Sequence, residues 1–254
     1  MNSRVRLLLN ADADQQRRLA ALQAVFAQAC NALAPTARDT RCWNRVALHH
    51  MAYKPLRQQF PQLGSQMVCN VIYSVSRACR EVYQHPASPF NLQRLGDRPL
   101  PLVQFSPMAP VFFDRHTLSI KAGEASLYTL DGRMRFQLAL EAADERRFHE
   151  GRLLEVVLTR ELNRFALTLS FGDTDKATDK ATDAKTTRTA DRGAAGATPG
   201  QTARMATGTV ATASDRSLAL ADADAGAVPA HLTVIPHPAA ALPAAQAPTR
   251  QATP

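Results

Sequence analysis

Residues 124–138 read EASLYTLDGRMRFQL, and this stretch decides the fold class. Residues 124–130 form one short strand pattern. Asp131-Gly132 follows, a dipeptide suited to a type I′ turn, which needs positive φ at both central positions. Met134, Phe136 and Leu138 then alternate with other residues on the return strand. That period of two places one apolar face toward a core. Working outward, residues 111–114, 117–121, 153–159 and 165–171 show the same strand pattern. The last two are expected to join through a turn at Leu162-Asn163.

Toward the N-terminus the period changes. Residues 5–9 are a short apolar strand. Asp12 or Asp14 then offers a helix N-cap. Leu19, Leu22, Phe26, Ala29 and Leu33 follow at spacings of three and four, with Arg17, Arg18, Gln23 and Gln28 mostly off that face. Pro35 is expected to end this helix. A second helix starts near Asn44 and carries Val46, Ala47, Leu48, Met51 and Ala52. Pro55 should kink or end it, because proline removes a backbone donor. Ser65 is the expected N-cap of a third helix, with a stripe of Val68, Val71, Ile72, Val75, Cys79 and Val82. His85-Pro86 closes it. Pro86, Pro89, Pro99 and Pro101 mark an extended connection. The reading is an α+β fold: a small antiparallel β-barrel of about six strands, with a three-helix insertion at about residues 11–85 after the first strand.

All fifteen aromatic residues lie at or before Phe171. Beyond it the chain is built on Ala, Thr, Asp and Pro. Such a segment offers little apolar surface against an ordering cost of about 1–2 kcal/mol per residue. Residues 1–172 are therefore expected to be the folded body, and residues 173–254 a disordered tail. Residues 232–235 are the only other compact apolar patch in that tail, and they read as a chance run.

Charge divides the same way. The body holds 22 Lys and Arg against 14 Asp and Glu; the tail holds 8 of each. The whole excess of +8 thus belongs to the body. Twenty of its cations are Arg, whose planar fork of donors suits phosphate oxygens. Such a body predicts an anionic partner, nucleic acid above all. An Arg-for-Lys bias of a GC-rich genome explains the same composition.

Cys30, Cys42, Cys69 and Cys79 lack C-x-x-C spacing and a nearby His pattern for zinc. They are expected to be reduced thiols in a cytoplasm, with no metal. No apolar run reaches the length of a membrane span, so a cytoplasmic protein without a membrane partner is expected. No Walker-type phosphate loop or G-x-S-x-G motif occurs. His49 and His50 are adjacent, and adjacent helical residues point about 100° apart, which disfavours a shared ion. Asp131 reads as a turn former, and residues 144–147 (DERR) as a solvated charged loop.

The stretch NRVALHHMAYKPLRQQFPQLGSQMVCNVIYSVSRACREVY, residues 44–83, resembles the helical insertion of transposon-encoded, TnpB-type RNA-guided nucleases, relatives of type V CRISPR effectors. The matching positions are Leu48, His49, Tyr53, Leu56 and Arg57, then Ser65 and Met67. HTLSIKAGEASLYTLDGRMRFQLAL (116–140) resembles the β segment of that family, and LLEVVLTRELNRFALTLSF (153–171) its last barrel strands. The similarity spans about residues 4–171. It implies a body that holds guide RNA, and a guide–target duplex or DNA beside it, through backbone contacts. The chain departs from the family after Phe171. There the family continues into a RuvC-like domain with three Mg²⁺-binding carboxylates and a zinc ribbon, whereas this chain reads GDTDKATDK. No catalytic residue, metal or cofactor is therefore expected.

The candidate nucleic-acid-binding residues are Arg45, Lys54, Arg57, Arg77 and Arg80 on the insertion, and Arg133 and Arg135 on one strand face. For each, an ordinary surface cation is the competing reading. Trp43 and Tyr53 are candidate base stackers, with core packing as the alternative. The expected function is non-catalytic binding of structured RNA, RNA–DNA duplex or DNA. A frame-shifted inactive product, or a subunit working with a separately encoded nuclease, are the alternatives.

Overall fold

Strand β1 (Ser3–Leu8) has its partner about 160 residues away. It pairs antiparallel with the strand Arg164–Gly172, from Ser3↔Phe171 to Leu8↔Ala166. The structure is a computed structural model that describes residues 3–161, 164–172 and 228–236. The expected turn at Leu162-Asn163 and most of the expected tail lie outside the described residues.

Between those two strands come three long helices, as the apolar spacing predicts. Helix α1 (Ala13–Asp39) is capped by Asp12, which accepts from Gln15 N at 2.8 Å while Gln15 Oε1 accepts from Asp12 N. Together these form a capping box that satisfies two end donors. Leu19, Leu22, Phe26, Cys30 and Leu33 are buried. Gln23, expected mostly off that face, is buried too and donates to Ala109 O at 3.2 Å. Helix α2 (Arg45–Gln59) is capped by Asn44, which accepts from Val46 N and Ala47 N.

Both prolines expected to end or kink these helices lie inside them. A proline forfeits one ladder bond, and packing in the following turn keeps each helix going. Ala37 is fully buried after Pro35, and Leu56 is buried after Pro55.

Helix α3 (Ser65–Tyr83) buries Val68, Val71, Ile72, Val75, Cys79 and Val82 against α1, α2 and the sheet. Its N-cap is Gly64, not Ser65, and no side chain caps it. A Cβ at Gly64 would lie 2.8 Å from Tyr128 Cε1, so the ring of Tyr128 occupies the space a side chain would need. Gly64→Ala is expected to lower stability by about 1–2 kcal/mol, as overpacking does. Denaturation of the variant measures this. An unchanged midpoint would mean that the Tyr128 ring moves aside freely.

A one-turn helix, α4 (Leu92–Leu95), leads into β2 (Leu102–Phe105) and β3 (Val111–Phe113). Strands β4 (Leu118–Lys121), β5 (Glu124–Thr129) and β6 (Gly132–Gln137) make a three-stranded antiparallel meander. The β4–β5 turn is Ala122-Gly123, with φ of 51° and 72°. Both central residues are left-handed, the type I′ requirement. At the β5–β6 turn only Gly132 has positive φ, at 107°, and Thr129 pairs with Gly132. The expected type I′ turn at Asp131-Gly132 is thus corrected. An L-residue at positive φ is strained. Asp131 instead directs its carboxylate to Arg18 at 2.8 Å and to the Thr129 hydroxyl at 2.9 Å. The Arg18 hydrogen bond, then that of Thr129, holds the Asp131 carboxyl below its ordinary range.

Residues 142–150 form helix α5 (Ala142–Glu150), where a charged loop is expected from sequence. Phe148 anchors it in the core. The Glu145 carboxylate accepts both turn amides, Ala122 N at 2.6 Å and Gly123 N at 2.9 Å. Arg115 donates to His149 O and Gly151 O at its far end.

Strand β7 (Arg152–Glu161) pairs with β8 (Arg164–Gly172), and the first sheet has the order β1-β8-β7-β3. A register shift at Leu153/Glu155 bends β7. Finally, β9 (Leu232–Ile235) pairs antiparallel with β2. For residues 228–236 the expectation of disorder and of a chance apolar run is corrected: they belong to the folded body. The apolar patch is visible in the sequence, but its partner is too remote for any local pattern to announce the pairing. Among the described residues, nine strands thus fall into ladders of four, two and three, and these ladders do not join into one closed ring.

Candidate nucleic-acid interface

Residues 40–80 contain no Asp or Glu, and they carry Arg41, Arg45, Lys54, Arg57, Arg77 and Arg80. They comprise all of α2 and most of α3. The seven sequence-derived candidates fall into three kinds once their partners are known.

Two are neutralised by carboxylates. Arg77 forms an ion pair with Glu155, with side-chain exposures of only 24% and 15%. Its guanidinium also lies 5.3 Å from the Phe112 ring centroid. Arg135 lies 3.4 Å from Glu124 on the neighbouring strand and is largely exposed.

Three others each donate at least one hydrogen bond to an uncharged group. Arg57 donates to Leu63 O. Arg80 donates to Ser76 Oγ at 3.1 Å. Arg133 donates to Ser126 O at 3.1 Å and to His116 O at 2.8 Å. A guanidinium bonded to neutral oxygens, as in Arg57 and Arg133, keeps its full charge, so it still contributes to the surrounding field. What it loses is the freedom to turn its fork toward a ligand. Arg133 and Arg135 do share the exposed face of β6, while Met134 and Phe136 point inward, as the alternation predicts.

Arg45 and Lys54 remain. Arg45, at the first position of α2, lies 5.4 Å from the Tyr73 ring centroid. Lys54 is exposed. The same helix exposes Val46, His50, Met51, Pro55, Gln58 and Gln59. Arg41, just before it, is also exposed. Arg41 and Tyr73 are the residues that reading the sequence for candidate cations and stackers misses. The signal that finds Arg41 is the missing acid over residues 40–80, not any motif.

A chain of contacts links two of the candidates. Arg45 lies over Tyr73, and Tyr73 meets Phe112 edge-on at 5.4 Å. Phe112 lies under Arg77, which reaches Glu155. The ring quadrupole holds both the edge-on ring pair and the guanidinium group over each ring. The chain therefore fixes the start of α2 against α3 and the four-stranded sheet. Lys54 and Arg57 sit farther along α2, whereas Arg133 and Arg135 belong to the separate meander.

His49 stacks on Tyr53 at 4.8 Å. Burial, then the charges of His50 and Arg45, hold the His49 imidazole below its ordinary pKa. Trp43 is buried against Tyr83, at 5.3 Å. It therefore packs in the core, while Tyr53 is half-buried. The four cysteines are free thiols, and burial pushes those of Cys30, Cys69 and Cys79 up.

Among the described residues, most carboxylates are engaged within the body. Asp14 pairs with Arg17, Asp39 with Arg38, and Glu161 with Arg6. Asp114 closes its own turn by accepting from His116 N and Thr117 N. Among the described residues, no three of His, Cys, Asp and Glu converge as a metal site would require, and no helix is long and apolar enough to cross a membrane. No family model matches this chain, and no curated protein matches it.

Proposed function

We propose that the chain is a non-catalytic nucleic-acid-binding protein that takes structured RNA, and an RNA–DNA duplex or DNA beside it, on the face carrying α2. The observation that carries this reading is the acid-free run 40–80 with its six cations and the exposed outer side of α2. Phosphate is the complementary partner, because it is a repeated anion that binds cations regardless of sequence. Arg41, Arg45 and Lys54 are the residues assigned to phosphate contact. Arg57 and Arg133 add to the field that draws the polyanion in. Arg77 and Arg135 have their charges neutralised and play the smaller part.

The resemblance to the front half of TnpB-type nucleases supports the choice of RNA. The three-helix insertion between β1 and the later strands fits the same reading. We also infer that the three sheets are the parts of that family's barrel. Binding without cutting fits the engagement of the carboxylates in turns and ion pairs.

The test is binding of a structured RNA by the full chain as salt is raised. Log affinity is expected to fall linearly with log salt, with a slope of about −2 to −4 from three or four phosphate contacts. No binding at low salt, or binding indifferent to salt, would remove the basis of the proposal.

A further inference from the structure

Among the described residues, strand β2 has a strand neighbour on one edge only. On the other edge a side chain stands in for one. Asn31 Oδ1 accepts from Phe105 N at 2.7 Å, and Asn31 Nδ2 donates to Phe105 O at 2.9 Å. The remaining edge, through Leu102, Gln104 and Ser106, is completed by β9. Leu102 pairs with Ile235 and Gln104 with Thr233, and Ser106 N donates to His231 O at 3.0 Å. Without β9 these backbone groups lose their partners, and an unpaired strand edge is a template for another strand.

The strand that fills this edge is small and bounded. Leu232 is buried and Val234 half-buried, while Thr233 and Ile235 point outward and are exposed. Pro229 and Pro236 flank it. Proline has no N–H to donate, so the ladder cannot extend far beyond residues 231–235. Residues 173–227 separate this segment from β8. His231 sits beside Arg77, and burial together with that charge pushes its imidazole down to about 4.

We infer that the edge of β2 is a strand-docking groove, and that a second copy of this chain can fill it with residues 231–235, so that two copies exchange β9. The exchanged and unexchanged forms make the same ladder and bury the same Leu232. Only the entropy of joining two chains opposes exchange, so the dimer grows with concentration. The short ladder and its few buried side chains keep opening accessible. The segment that supplies the strand is separated from the body strands by a long connector, so it can reach a neighbour.

The test uses full-length chains carrying Cys42→Ser and Cys69→Ser, which removes the two thiols that are not buried. One chain carries Gln104→Cys and the other Thr233→Cys. These positions are paired across the ladder and both exposed, within the Cα separation a disulfide needs. After mixing at high concentration, oxidation should give a covalent heterodimer at least several-fold more abundant than either homodimer. Its yield should rise with concentration and vanish when Leu232→Asp is added to the Thr233→Cys chain. A single chain carrying both cysteines should close on itself when dilute. A heterodimer no more abundant than the homodimers overturns the proposal. So does a double-cysteine chain that fails to close at all.

Discussion

Glu155→Ala is expected to destabilise the body by about 2–3 kcal/mol. The side chains of Glu155 and Arg77 are mostly buried, and the Arg77 guanidinium is held over Phe112 with His231 nearby. Removing the carboxylate leaves a cation without its partner in a poorly solvated place, and that loss exceeds the net worth of the pair itself. The figure lies below the range of about 3–5 kcal/mol for fully buried pairs because some water reaches both groups. Chemical denaturation reads it directly as a shift in midpoint at constant slope. The double variant Arg77→Met/Glu155→Leu should recover most of the loss, since two apolar side chains leave no stranded charge. A change in Glu155→Ala below about 0.5 kcal/mol would mean that the pair behaves as a surface ion pair. The result also bears on function. If Arg77 is structural, a loss of RNA binding in Arg77→Ala reports folding and not a phosphate contact.

The second large effect concerns α2. Reversing Arg41, Arg45 and Lys54 to Glu is expected to weaken RNA binding by about 100-fold or more near 100 mM salt. The slope of log affinity against log salt should become shallower by about 2–3, one increment of roughly 0.7–0.9 for each phosphate no longer neutralised. The fold should tolerate the change. The first turn of α2 has no acidic residue, and a carboxylate at the first helical position favours the macrodipole. The cation–π attraction between Arg45 and Tyr73 disappears, at a cost of about 0.5–1 kcal/mol. Reversal of Arg17, Arg94 and Arg98 changes the net charge equally, away from α2. If that variant loses affinity as much as the α2 variant does, binding follows overall charge and the α2 face has no special role.

The helices of the insertion were legible because each buries a stripe at helical spacing, and Asp12 and Asn44 announce two of the starts. The meander was legible for the parallel reason in strands. What escaped the sequence is governed by distant partners. Pro35 and Pro55 lie inside helices because Ala37 and Leu56 find a core that no local rule contains. Strands β2 and β9 are four residues each and lie far apart in the chain, so the apolar patch at residues 232–235 carries no sign of its partner. Residues 144–147 look like a charged loop until Glu145 meets the amides of a turn about twenty residues earlier. The same limit applies to the candidate site. A sequence shows that residue 133 is a cation. It does not show that the β4–β5–β6 register brings the carbonyls of His116 and Ser126 within its reach.

The pairing of β1 with β8 sets the timetable of synthesis. The first strand leaves the ribosome about 160 residues before its only strand partner among the described residues. At roughly 5–20 residues per second, that interval is on the order of ten seconds or longer. The three helices can collapse on one another during that time, because α1, α2 and α3 contact each other directly. The sheet cannot be completed until translation has passed Phe171. A stall before that point would therefore release a helical cluster carrying an open strand, a natural client for a chaperone at the tunnel exit.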